Sequence, residues 1–159
     1  MHVTIRCAIS TDAGAVTDLC LCARHSAAAA GTIPPPVHED DDIGKWIEDV
    51  LIPTRECWLA SRSSGAVVGM LVLRANWIDQ LYVDPDLTRS GIGAELLATA
   101  KRERPEGLRL WTFVSNHEAQ RFYLRHGFEE IERTDGSENE ERAPAIQYAW
   151  LAPGSMSSS

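Results

Sequence analysis

The sequence predicts a single α/β domain, a mixed, twisted sheet of about seven strands flanked by four helices. Three observations carry this. The chain has 159 residues, of which 44% are hydrophobic, enough for one domain with a real core. Three strand-like runs follow one another between Cys57 and Val83 with no helical stretch between them, which gives an antiparallel meander. The second half then reads strand, helix, strand, helix, the pattern that sets strands parallel through right-handed crossovers.

Composition narrows the function classes. A net charge of −8 makes the chain a poor non-specific binder of nucleic acid, which needs a basic face. It suits a cationic substrate such as an amine, although surplus acid also serves solubility. No apolar run is long enough to span a bilayer, and Met1 to Arg6 lacks a basic lead into an apolar signal core. Neither nucleic acid nor membrane is therefore an expected partner. Cys20 and Cys22 do not have zinc-finger spacing, and Cys7 and Cys57 stand alone in apolar runs. All four read as reduced, mostly buried thiols of a cytoplasmic protein. His2, His25, His38, His117 and His126 form no ligand-spaced cluster with acids or cysteines, so no metal is expected.

Val3 to Ile9 alternates weakly and reads as the first strand. Ser10 or Thr11 can cap the helix that follows, with Asp12 favourable in its first turn. Val16, Leu19, Cys20 and Ala23 share a face, and the alanine run extends the helix toward Gly31. Pro34 to Pro36 is stiff and extended. The acids Glu39 to Asp42 then lead into Ile43, Trp46, Ile47 and Val50, one helical face that Pro53 ends. Acids at a helix start are favoured by the dipole; alternatively they line a substrate mouth and attract an amine. Strands follow at Cys57 to Ser61, Ala66 to Leu73 (nearly all apolar and so central) and Trp77 to Val83.

Pro85 stops that third strand. A short loop with Arg89, Ser90, Gly91 and Gly93 leads into Ile92, Leu96, Leu97 and Ala100 at helical spacing, closed by Pro105. A helix start carries unpaired N–H groups and a partial positive charge. Two glycines admit an anion close to the backbone, and Arg89 adds a guanidinium suited to phosphate oxygens. The stretch reads as a phosphate or pyrophosphate cradle, with an ordinary tight turn as the alternative. A Walker loop is excluded because Ala94 and Glu95 follow Gly93. Leu96 occupies the third site of the dinucleotide fingerprint and argues against it. Leu108 to Val114 is the next strand. Ala119, Phe122, Tyr123 and His126 then share a helical face that Gly127 can close, and strands at Phe128 to Thr134 and Ile146 to Leu151 end the domain, 1–152. Residues 153–159 read as a disordered Ser/Gly-rich tail.

Two motifs in this order resemble one family. Leu81-Tyr82-Val83-Asp84-Pro85 followed by Arg89-Ser90-Gly91-Ile92-Gly93-Ala94 is similar to the acetyl-CoA loop of the GCN5-related N-acetyltransferases (GNAT). Asn116, Ala119, Phe122, Tyr123, Gly127 and Phe128 resemble that family's next motif at the right distance. The element order β-α-α-β-β-β-α-β-α-β-β also looks like the family's, across roughly residues 3–151. One departure stands at Thr88, where the family often has Gln or Arg; Arg89, one position later, can take over the phosphate contact.

The resemblance implies a GNAT-like fold whose Leu81 and Leu108 strands splay to admit the pantetheine of acetyl-CoA, the co-substrate. It implies that backbone groups of Leu81, Tyr82 and Val83 line the cofactor, and that amides of Arg89, Ser90, Gly91, Ile92, Gly93 and Ala94 hold the pyrophosphate. Asn116 then bonds the pantetheine arm, and the Tyr123 hydroxyl protonates the leaving thiolate. Asp79 is the candidate base for the amine, directly or through water, or else a structural strand-end carboxylate. Gln80 cannot be a base, and His117, Glu140 and Glu141 read first as solvated. Trp46 and Trp77 are candidates to line the acceptor pocket. The expected activity is acetyl transfer to a primary amine of a small molecule. A protein N-terminus or lysine is the second choice, and a non-catalytic acyl-CoA-binding domain the rival from another class. Homodimers are common in that family; no interface is legible here.

Overall fold

A computed structural model describes residues 2–35 and 37–151, so the expected tail and Pro36 lie outside the described residues. The element order is β1 (Thr4–Cys7), α1 (Ala13–Ala29), α2 (Asp40–Trp46), a π-turn (Ile47–Leu51), the single turn α3 (Ile52–Thr54), β2 (Glu56–Ser61), β3 (Val67–Arg74), β4 (Trp77–Val83), α4 (Ile92–Glu103), β5 (Gly107–Phe113), α5 (His117–Arg125), β6 (Glu129–Thr134) and β7 (Ala145–Leu151). The strands form one sheet in the order β1-β2-β3-β4-β5-β7-β6. Every neighbouring pair is antiparallel except β4 and β5. This is the mixed seven-stranded sheet with four principal helices, α1, α2, α4 and α5, that the sequence predicts.

Strand alternation sorts the core into two clusters, one on each face of the sheet. On one face Leu71, Leu73 and Ile78 pack with Ile92, Leu96, Leu97 and Ala100 of α4 and with Tyr123 and Phe128. On the other, Leu59, Met70 and Val72 pack with Val16, Leu19 and Cys20 of α1 and with Ile43, Ile47 and Leu51. Leu96 and Leu97 are almost wholly buried, each worth roughly 1.5–3 kcal/mol. α4 lies so close to β3 that a Cβ on Gly69 would sit 2.9 Å from both Ile92 and Leu96, so only glycine fits beneath that helix.

Three local expectations are corrected. Neither Ser10 nor Thr11 caps α1: both lie in a 3₁₀ turn (Ser10–Asp12), and Asp12 instead accepts the Ile9 N–H and pairs with Arg6 at 2.8 Å. Pro53 does not end the second helix. A π-turn and a further helical turn carry the chain on to Thr54; Leu51 is buried, and Trp46 at the end of α2 is 39% exposed. Among the cysteines, all of them free, Cys7 and Cys22 are exposed. Burial pushes the Cys20 thiol up and the Cys57 thiol up to about 12.

Candidate active site

The parallel junction of β4 and β5 is the origin of the site. The two strands are in register only at Trp77 and Arg109, where the Arg109 N–H also donates to the Asn76 carbonyl at 2.9 Å. Beyond this point they separate. β4 keeps its antiparallel partner β3, with a bulge at Asp79, and β5 keeps β7. Alternate backbone N–H and C=O groups of β4 therefore face an open wedge. The bulge bends β4 there, which is how strands re-aim side chains near a site.

At the far end of β4, Asp84 accepts the Asp86 N–H and starts a 3₁₀ turn (Pro85–Leu87). The loop then turns left-handed twice, at Arg89 (φ 67°) and Gly91 (φ 91°). The first backbone bond of α4 runs from the Glu95 N–H to the Gly91 carbonyl, which leaves the preceding amides of the helix start without intrahelical acceptors. Consecutive amides in a left-handed turn at a helix N-terminus make an anion-binding concavity. A Cβ built on Gly91 meets nothing within 4 Å, whereas one on Gly93 would touch Phe122 at 3.5 Å. The space over Gly91 is open, and the cradle is a property of the backbone. Arg89 holds a left-handed φ without being glycine, a strain of roughly 1–3 kcal/mol of the kind found at ligand clamps.

α5 forms the opposite wall. Asn116 caps it by accepting the Ala119 N–H at 3.2 Å, which occupies the side-chain oxygen and leaves the amide nitrogen for a ligand. Gln120 Nε2 ties the helix to the end of β5 by donating to the Phe113 and Val114 carbonyls. Lys101 of α4 donates to the His126 carbonyl at 2.6 Å, fixing the C-terminus of α5 against α4. Tyr123 lies in an aromatic cluster with Phe122 and Phe128. Burial pushes its phenol well above the ordinary value, with a smaller push from Tyr82, so it is protonated at neutral pH. Among the described residues no group pairs with its hydroxyl, and the oxygen is not sealed off.

These parts line one cavity of about 1480 Å³, larger than the usual volume of a small-ligand pocket. It joins Asp79, Leu81, Tyr82, Val83, Arg89, Gly91, Gly93, Ala94, Asn116 and Tyr123. Of the residues singled out in the sequence, Ser90 and Ile92 do not line it: Ile92 is a core residue, and the Ser90 hydroxyl donates to the Leu87 carbonyl. Asp79 lines the cavity with its two oxygens facing Arg74, at 2.9 and 3.5 Å. The buried Gln80 Oε1 has no donor, an orphan that a bound amine or water would satisfy. Trp46 lines the cavity; Trp77 lines a smaller recess with Trp111. His117 is exposed and outside the cavity lining. Glu140 and Glu141, read from sequence as solvated, stand at the cavity, and Glu140 meets His38 at 3.1 Å.

Sequence reasoning missed the α1 wall, Cys20, Ala23, Arg24 and Ala27. A signal was present: Arg24 lies beside the apolar stripe of an amphipathic helix, where a charge is out of place. It also missed Arg121 and Arg125 on α5, which line the cavity as Arg89 does. Among the described residues no group of three or more His, Cys, Asp or Glu is placed to hold a metal, and no helix is long and apolar enough to cross a membrane.

The β4–β5 wedge opens toward a helix start with free amides, and comparison with known proteins gives the class. Residues 53–130 match the acetyltransferase (GNAT) domain. The chain is 28% identical over 110 residues to the peptidyl-lysine N-acetyltransferase YjaB of Escherichia coli K12, a match covering 66% of this chain and 73% of that protein. The solution structure of apo YjaB superposes with a TM-score of 0.75 at 21% identity, covering 96% of this chain and 99% of that one. An aminoalkylphosphonate N-acetyltransferase of Salmonella typhimurium LT2 is 38% identical over 96 residues, 52% of this chain and 62% of that protein. The PaiA N-acetyltransferase of Thermoplasma acidophilum, in complex with coenzyme A, has the same fold with a TM-score of 0.70 at 20% identity, covering 95% of this chain and 99% of that one. Residues 53–130 thus carry a GNAT acetyltransferase domain match, and the fold over nearly the whole chain is that of N-acetyltransferases of this kind. It is an N-acetyltransferase by class, and its relatives act on amines of different kinds, a peptidyl lysine in one and an aminoalkylphosphonate in another.

Proposed function

We propose that this enzyme transfers the acetyl group of acetyl-CoA to the primary amine of a small molecule. One observation carries the reading: the open β4–β5 wedge, the free amides at the start of α4 and the unpartnered Tyr123 hydroxyl all border a single cavity. The residues present fit acetyl-CoA. The amides from Arg89 to Ala94 suit a pyrophosphate, with Arg89, Arg121 and Arg125 nearby for its charge. The Asn116 amide and the wedge-facing backbone of Leu81, Tyr82 and Val83 suit the two amides of a pantetheine arm.

When bound, acetyl-CoA supplies a thioester with an electrophilic carbonyl and a thiolate leaving group. The protein supplies the rest. A free amine is the nucleophile, and an alkylammonium of pKa about 10.4 must first lose a proton. Asp79 receives that proton, directly or through water. Strand N–H groups facing the wedge donate to the oxygen on which charge develops, and one such donor is typically worth ~2.7–4 kcal/mol. The Tyr123 hydroxyl gives its proton to the departing sulfur.

The small-molecule assignment rests on how the acceptor side is roofed. The Ser115 hydroxyl donates to the Thr32 carbonyl at 2.8 Å, and His38 meets Glu140 across 102 residues of sequence. These links cross the acceptor end of the cavity, which supports an acceptor small enough to fit beneath them. Free thiols and the use of acetyl-CoA fit a cytoplasmic site of action. The test is thiol release from acetyl-CoA with a panel of small amines and a lysine-containing peptide. Turnover with small amines and none with the peptide is expected. Turnover with the peptide alone would move the acceptor to protein lysines. Binding of acetyl-CoA with no turnover on any amine would make this a binding domain.

A further inference from the structure

The cavity crosses from one face of the sheet to the other, and its charges divide accordingly. Arg89, Arg121 and Arg125 lie with α4 and α5, on the face where the cofactor is assigned. Arg24 lines the same cavity from α1, whose core partners are on the opposite face. Its guanidinium takes part in none of the ion pairs among the described residues, and it lies near enough to the Cys20 thiol, one turn earlier, to oppose the rise that burial imposes on that thiol. A half-buried arginine that lines a cavity without pairing to any of the cavity's carboxylates is an unusual arrangement, because a buried charge is normally paired.

Tyr82 stands against it. Its ring packs into the α1 cluster, and its hydroxyl has no partner among the described residues and is not sealed from the cavity. Burial is the main influence that raises its phenol to about 12, and Arg24 opposes the rise. The hydroxyl is therefore a standing donor beside a standing cation. Charges of the other sign are close but separate: Glu141 of the β6–β7 loop acts on the same phenol, and Asp42 of α2 lines the same end.

We infer that Arg24 and the Tyr82 hydroxyl form an oxyanion subsite in the acceptor half of the cavity, so that the preferred acceptor is an amine carrying its own carboxylate or phosphate group. A guanidinium binds either through paired N–H donors, and the hydroxyl adds a third donor. Asp79, Asp42 and Glu141 suit the ammonium end. A subsite of one sign beside acids of the other recognises a zwitterion and discriminates against a simple alkylamine, which would leave Arg24 unpaired. The inference rests on the acetyl-transfer reading above and makes its acceptor specific.

The test uses matched pairs: 4-aminobutyrate against butylamine for the carboxylate, and phosphoethanolamine against ethanolamine for the phosphate. The kcat/KM ratio of the anionic to the neutral member is expected to be at least ~10 in one arm or both, the size expected for one charge-assisted hydrogen-bonded contact. The arm with the larger ratio identifies the oxyanion. Arg24→Gln should bring the ratio toward unity, mostly through KM, Arg24→Lys should keep part of it, and Tyr82→Phe should lower it a few-fold. Thermal midpoints of the variants separate misfolding from lost recognition. A ratio at or below one in both arms, or a ratio unchanged in a folded Arg24→Gln protein, overturns the subsite and leaves acetyl transfer standing. Absence of acetyl-CoA binding by the folded wild type instead removes the function reading, and the subsite with it.

Discussion

The cofactor half of the cavity is assembled from one stretch of chain, from Asp79 on β4 to His126 after α5, whereas the acceptor half draws on α1, the α1–α2 connection, α2 and the β6–β7 loop. The first is held by regular structure: strand ends, a left-handed loop and two helices tied together by Lys101 and Gln120. The second is held by side-chain links between distant loops, Ser115 to Thr32 and His38 to Glu140. A backbone site is built to take one invariant ligand. A site roofed by loops can change its ligand without disturbing the sheet. Substitutions in the two halves should therefore fail differently: the first should lose acetyl-CoA whatever the amine, and the second should change the amine and keep acetyl-CoA.

The largest effect belongs to Gly91. Its φ of 91° lies where side chains rarely sit, and the space above it is open. Gly91→Trp fills that space and strains the loop, so acetyl-CoA binding by calorimetry should weaken by at least ~100-fold, the equivalent of about 2.7 kcal/mol. Unchanged affinity would detach the glycine loop from the cofactor and erase the division between the halves.

Tyr123→Phe should act on turnover alone. Loss of a proton donor typically costs ~10²–10⁴ in rate, so kcat should fall ~100-fold or more while acetyl-CoA still binds. The pH profile adds a sign. Because burial raises the phenol, the donor form persists as pH rises, and kcat should show no alkaline fall through about pH 10, where an unperturbed tyrosine ionises. A fall there, or full activity in the phenylalanine variant, would return Tyr123 to a purely packing role.

Asp79 sits on the boundary between the halves. Its oxygens face Arg74 at 2.9 and 3.5 Å, and the bulge turns it toward the cavity. Asp79→Asn should lower kcat/KM by ~10-fold or more, in line with loss of a general base, and Arg74→Ala should cost clearly less. Equal losses in both variants would mean that the pair only shapes the bulge.

The same division explains what could be read in advance. The sheet, its helices and the Gly91 loop were legible because their signals are local: alternation, helical spacing, and glycines placed between a strand and a helix. Arg24 was not, because its significance depends on α1 crossing the open side of β4, a contact between residues far apart in sequence. The π-turn at Ile47–Leu51 was hidden for another reason. Ile43, Trp46, Ile47 and Val50 fit a regular helix equally well, whereas the buried positions are Ile43, Ile47 and Leu51, with Trp46 left half-exposed. The wedge itself was visible only through the family resemblance, since nothing in Leu81 or Leu108 says where two paired strands part.

That half-exposed tryptophan gives the smallest and most discriminating prediction. Trp46 is 39% exposed and lines the acceptor side, so its removal opens no sealed cavity and should cost little stability. Trp46→Ala should raise KM for the amine by roughly 3- to 10-fold, about the worth of one partly buried aromatic contact or cation–π contact to an ammonium, with acetyl-CoA affinity held within twofold. A change in acetyl-CoA affinity instead would mean that α2 reaches the cofactor, and the two halves would then be one coupled site. A KM shift confined to the amine would show that Trp46, left half-exposed at the end of α2, is a wall of the acceptor pocket and of nothing else.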